Sequence, residues 1–218
     1  MTDFASRREK MVNRQIAGRG IHAPELLRAL REVPREAFVP PALADHAYED
    51  MPLPIEAGQT ISQPYIVALM IEAAGIGPGD KVLEIGAGSG YAAAVMSRIA
   101  DLVIAIERHE ELADLASKRM RQLGYANVRI VHGDGSVGIP EHAPFDAIIA
   151  AASGSHIPQA LKGQLATGGT LVMPIGEPGA IQSLVAVTRT DADVYRTREL
   201  CPVRFVPLVG QEGWKEGQ

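Results

Sequence analysis

The stretch Val82-Leu83-Glu84-Ile85-Gly86-Ala87-Gly88-Ser89-Gly90-Tyr91 decides the fold. It begins as a short apolar, β-rich run interrupted by one acid, the pattern of a central parallel strand covered on both faces. Glycines at alternate positions follow. Without side chains at Gly86, Gly88 and Gly90, the backbone can bend sharply and a ligand can approach the N-terminus of the next helix, expected from Tyr91 to about Ala100. A nucleotide-like group belongs on such a turn.

Two ligand classes compete for it. The dinucleotide fingerprint requires a small residue three positions after the second glycine, where helix and strand pack closely. That position holds Tyr91. An acid two residues before the first of the alternate glycines resembles instead motif I of the S-adenosylmethionine-dependent methyltransferases, with Glu84 near the cationic methionine end. The remaining reading is a tight strand-to-helix turn that binds nothing.

The flanking sequence favours a ligand. Leu102-Val103-Ile104-Ala105-Ile106 is a second apolar strand, closed by Glu107. An acid about 20 residues beyond the glycines can grip ribose hydroxyls. Val128 to His132 reads as a third strand, followed by the loop Gly133-Asp134-Gly135. In open α/β sheets ligands sit outside the carboxyl ends of the strands, which puts Asp134 on the same rim as Glu84 and Glu107.

Farther along, strands are expected at Phe145 to Ala150, Thr170 to Ile175, Ser183 to Thr188 and Val203 to Leu208. Helices are expected at Glu110 to Gln122, with Gly124 as its cap, and at Ile157 to Leu165, with Gly168-Gly169 turning into the strand that follows. The alternation predicts an α/β fold with a doubly wound, mostly parallel sheet and an antiparallel pair at the C-terminal edge. Before the sheet, Phe4 to about Gly18 has helical apolar spacing, and Pro24 opens a second short helix. The expected organisation is one domain over residues 1–218. Residues 1–78 would form a helical cap and active-site loop, and residues 79–218 the cofactor-binding sheet and C-terminal strands.

Gly58-Gln59-Thr60-Ile61-Ser62-Gln63-Pro64-Tyr65 leads into an apolar helix ended by Gly75. Serine before a proline-started helix is a favoured N-cap, so Ser62 is expected to cap it. The functional reading, compatible with the first, turns its hydroxyl toward a substrate.

Composition narrows the classes. The chain has 218 residues, 46% of them hydrophobic and 22% charged, enough for one sizeable core. Its net charge is −5 with no cluster of Lys and Arg, which disfavours nucleic acid as a partner. Cys201 is the only cysteine, so no intramolecular disulfide or cysteine zinc cluster forms, and a reducing, cytoplasmic setting is expected. The start is rich in charge without an apolar targeting core, and no apolar run is long enough to span a membrane. The six histidines lack metal-ligand spacing, so no metal is expected.

Beyond motif I, the chain resembles the protein-L-isoaspartate O-methyltransferases. The resemblance rests on Ala37-Phe38-Val39-Pro40, Ala47-Tyr48-Glu49-Asp50, Pro52-Leu53-Pro54-Ile55, Gly58 to Pro64, Gly133-Asp134-Gly135, Ala143-Pro144-Phe145-Asp146 and Phe205-Val206-Pro207-Leu208, in family order. It implies methyl transfer from S-adenosyl-L-methionine to the free α-carboxylate of L-isoaspartyl residues in damaged proteins and peptides, the step that initiates their repair. It also implies Ser62 as the active-site residue. Glu84, Gly86 and Gly88 would line the methionine end, Glu107 would hold the ribose, and Asp134 with Gly135 would contact the adenine. Thr60 and Ile61 would border the transfer site, and Val206, in the late strand, would hold the peptide. A monomer is expected. A carboxylate acceptor is already ionised at neutral pH and needs positioning more than a strong base. A methyltransferase with another carboxylate acceptor and a non-catalytic S-adenosylmethionine-binding protein are the alternatives.

Overall fold

The computed structural model describes residues 3–217; Met1 and Thr2, at the charge-rich start, and Gln218 lie outside them. The chain order is α1 (Phe4–Lys10), α2 (Pro24–Glu32), a ribbon of β1 (Leu53–Pro54) and β2 (Thr60–Ile61), α3 (Pro64–Ala74), then β3 (Lys81–Ile85), α4 (Tyr91–Met96), β4 (Leu102–Glu107), α5 (Glu110–Leu123) and β5 (Val128–His132). It ends with β6 (Phe145–Ala150), α6 (Gln159–Gly163), β7 (Leu165–Ile175), β8 (Gln182–Asp191) and β9 (Val194–Val203). Seven strands form one sheet in the order β5-β4-β3-β6-β7-β8-β9. The first five are parallel, and β8 runs antiparallel to both β7 and β9.

Alternate residues of the buried strands face opposite layers, as the pleat requires. Val82, Val103, Ala147 and Val172 join a core shared with α3, α4 and the N-terminal segments through Met11, Leu30 and Phe38. Leu83, Ile104, Ile148 and Leu171 join a second core on the other face with Leu161 and Leu208. The strand order reverses beside β3, whose neighbours are β4 and β6, so a crevice opens at the carboxyl ends of these three. No helix among the described residues is long and apolar enough to cross a membrane.

Several expectations need correction. The first helix is helical from Phe4 but passes into a π turn at Met11–Ile16 and a tighter turn at Ala17–Arg19, where Gly20 ends it at φ 95°. Helix α4 stops at Met96, beside a serine hydroxyl, Ser97 Oγ, that donates to the Ala94 carbonyl. The helix expected over Ile157 to Leu165 is only Gln159–Gly163. Strand β7 starts at Leu165, and its pairing with β6 shifts register before Thr170. The expected strand Val203 to Leu208 is not one. The outermost strand is β9, which ends at Val203, and the following segment is held by isolated bonds, including a bridge between Ser153 and Pro207. Pro207 cannot donate to a ladder, which disfavours a regular strand over this segment.

Candidate active site

The glycine turn lies in the crevice. Gly86 and Gly88 take φ values of 85° and 51°, a region closed to most side chains. The amides of Gly86 and Ala87 both donate to the Ile106 carbonyl, which binds the turn to the end of β4. A cavity of about 740 Å³ opens above it, a size suited to a ligand as large as a nucleoside derivative. Gly86, Gly88, Glu107 and Gly135 line its floor side, Thr60 and Ser62 one wall, and Val206 another. A smaller pocket of about 50 Å³ shares Thr60, Ser62, Gly86 and Gly88 and is closed by Ile61, Glu84 and Tyr91.

Glu84 and Glu107 have different surroundings. Glu107 is buried, with Oε2 accepting from the Gly88 amide at 2.8 Å and Oε1 from the His109 amide at 2.9 Å. Each oxygen keeps a further lone pair for a hydroxyl donor. Glu84 is 2% exposed, and its Oε2 has no hydrogen-bond partner. Burial first, and the Glu107 charge second, hold its carboxyl well above the usual carboxylate range, against a smaller pull from the Ala93 amide. An unpartnered buried carboxylate oxygen beside a pocket is a place for a cationic group.

Asp134 lines neither pocket. Its Oδ1 accepts from the amide and hydroxyl of Ser136 at 2.8 and 2.7 Å, and Oδ2 from the Gln211 amide at 2.7 Å. It thereby fastens the C-terminal segment under the rim, where Val209 reaches the cavity. Gly135 next to it packs so closely on Ile85 that a Cβ would lie 2.4 Å from Ile85 Cγ2.

Ser62 is not the cap of α3. The cap position is Gln63, without a side-chain bond, and its carbonyl receives the Ile66 and Val67 amides. Among the described residues the Ser62 hydroxyl has no hydrogen-bond partner, so it is available at the wall of the cavity. Tyr91, where a dinucleotide turn would need a small residue, is instead buried against Phe38 of the N-terminal segment, ring centroids 5.6 Å apart.

With this geometry in place the comparisons are specific. The family model for protein-L-isoaspartate(D-aspartate) O-methyltransferase matches residues 6–213. The chain belongs to that family. Protein-L-isoaspartate O-methyltransferase 1 of Rhodopseudomonas palustris is 57% identical over 213 residues, covering 98% of this chain and 87% of the relative. Protein-L-isoaspartate O-methyltransferase 2 of Pelobacter propionicus is 56% identical, covering 95% and 92%. Among solved structures, a protein-L-isoaspartate O-methyltransferase superposes with a TM-score of 0.83 at 32% identity, over 94% of this chain and 66% of the other. A Plasmodium falciparum structure described as such an enzyme in complex with S-adenosyl-L-homocysteine superposes with a TM-score of 0.80 at 27% identity, over 96% and 99%.

A methyltransferase of this family needs a cofactor site and an acceptor site that meet, and the residues here fit that requirement. The unpartnered Glu84 oxygen, the glycine cradle and the Glu107 carboxylate suit a cation joined to a ribose. Among the described residues no group of three or more His, Cys, Asp or Glu side chains gathers around a metal position. Two features escaped the sequence. Arg108 and His109 line the cavity directly after Glu107, a rim position that strand-end reasoning can flag. Gln182 had no local signal: buried in β8, it accepts from the Phe205 amide at 2.7 Å and donates to the Phe205 carbonyl at 3.1 Å, fixing the segment that carries Val206. The Ser153 amide adds a bond to the Val206 carbonyl at 2.8 Å.

Proposed function

We propose that this chain methylates the free α-carboxylate of L-isoaspartyl residues in damaged proteins and peptides, with Ser62 as the residue that orients the acceptor. It is an S-adenosylmethionine-dependent protein carboxyl O-methyltransferase. The cofactor supplies an electrophilic methyl group on a sulfonium, and everything else falls to the protein. The observation that carries the assignment of Ser62 is its unpartnered hydroxyl, shared by the walls of the large cavity and the small pocket that contains Glu84.

In this reading Glu84 faces the cationic end of the cofactor, Gly86 and Gly88 give it room, and Glu107 receives ribose hydroxyls. Gly135 bounds the adenine side. Asp134 acts there through the segment it fastens, a more indirect part than direct contact. Thr60 and Ile61 border the transfer point, and Val206 offers the peptide an extended wall. Ser62 donates a hydrogen bond to the acceptor carboxylate and holds one oxygen for attack. No general base is required, because the acceptor is ionised already. The single, half-buried Cys201 suits a reducing cytoplasm.

Ser62→Ala tests the central residue. Turnover of an isoaspartyl peptide falls by about tenfold or more, since small misplacements of reacting groups are costly, while S-adenosyl-L-homocysteine binds as before. Unchanged turnover would remove Ser62 from the mechanism.

A further inference from the structure

Among the described residues Arg35 heads the fully buried side chains by size, yet none of their ion pairs includes it. Its Nε donates to the Ala47 carbonyl at 2.7 Å and its Nη2 to the Ser62 carbonyl at 2.8 Å. Its guanidinium sits 4.7 Å from the centre of the Tyr91 ring, at the start of the helix that follows the glycine turn. Nη1 is buried without a partner. A buried cation without a direct ion pair, although the charge of Asp50 acts on it, is costly, and an apolar side chain of similar volume would often fill such a space at no loss of stability. The cation is therefore retained where its planar fork, with donors in fixed directions, connects three segments that meet at the site.

Resting on the reading of Ser62 above, we propose that Arg35 is a positioning residue for methyl transfer. It clamps the Ser62 carbonyl to Ala47 and Tyr91 and so sets where the Ser62 hydroxyl stands relative to the glycine turn. Arg35 touches neither acceptor nor cofactor. It acts through the loop Gln59 to Gln63, whose far end opens α3.

The test uses the full chain with R35K, which keeps the charge but not the fork, and R35M, which keeps much of the volume and removes the buried charge. Each is made alone and combined with Ser62→Ala, with wild-type turnover of an isoaspartyl peptide as the control for the underlying activity. The expected result is a fall in kcat of about tenfold in both variants. S-adenosyl-L-homocysteine affinity stays within about twofold, and peptide KM changes less than kcat. In the Ser62→Ala background the same substitutions lower kcat by less than about twofold, because partners in one chain of contacts are non-additive. An equal kcat loss in both backgrounds, a parallel loss of cofactor binding, wild-type kcat, or failure of both variants to fold would each overturn the proposal. Absence of wild-type turnover would instead strike the function on which it rests.

Discussion

The carboxylate of Glu107 accepts a hydrogen bond from the amide of Gly88 at 2.8 Å, so the acid that ends β4 helps to hold the glycine turn that follows β3. One side chain thus shapes the cradle and faces the cavity. Glu107→Gln keeps the size but leaves an amide group against one of the two backbone donors. Hydrogen bonds to a charged group contribute about 1.5–3 kcal/mol, so S-adenosyl-L-homocysteine affinity falls by roughly ten- to a hundredfold in titration calorimetry.

Glu84 gives the free protein a pH-dependent stability. Its folded-state pKa lies above its ordinary value of 4.5, so over the interval between them the native state holds more protons than the unfolded chain. Stability then falls as pH rises from the unfolded value through the folded one. Melting temperatures of the free protein from about pH 5 to about pH 8 decline more steeply in the wild type than in Glu84→Gln. The cationic cofactor favours the ionised carboxylate, so its binding releases a proton in the wild type and not in the variant, measurable by calorimetry in buffers of different ionisation enthalpy.

Gly135 and Gly133 form a matched pair. An alanine at 135 would bring its Cβ to 2.4 Å from Ile85 Cγ2, whereas at 133 the nearest atom, Ile106 Cγ2, lies 3.9 Å away. Gly135→Ala is expected to lose about 1–3 kcal/mol of stability by overpacking, together with cofactor affinity as Ile85 shifts in the cavity wall. Gly133→Ala leaves both nearly unchanged. Denaturant melts and S-adenosyl-L-homocysteine titrations of the two variants check this.

Gln182 holds the peptide wall through two bonds to the Phe205 backbone. Removing it with Gln182→Ala leaves those groups unsatisfied and loosens Val206. Steady-state kinetics should show a higher KM for the isoaspartyl peptide, by about tenfold, with cofactor affinity preserved.

The sheet and its rim were legible because their signals are local. An apolar run, an acid and alternate glycines sit within ten residues of one another, and Glu107 and Gly135 are read at strand ends in the same way. The outer edge was not. Strand β9 runs through Tyr195, Arg196, Thr197, Arg198 and Glu199, a mostly exposed polar face with weak alternation, while Val203 to Leu208 looks strand-like but is interrupted by Pro207. Ser62 has the composition of a cap, yet the cap position falls one residue later, at Gln63. Arg35 and Gln182 act on backbone groups 27 and 23 residues away, and such pairings leave no mark on either segment. Asp134 follows the end of β5, where its position is readable, but its bond to the Gln211 amide depends on a C-terminal segment far along the chain.

The most direct test of the account is methyl transfer from labelled S-adenosyl-L-methionine to two otherwise identical peptides, one containing isoaspartate and one aspartate, with base-labile ester measured as released methanol. The account predicts that the isoaspartyl peptide alone is labelled. Equal labelling of the two peptides, or labelling of neither while the cofactor binds, would contradict it.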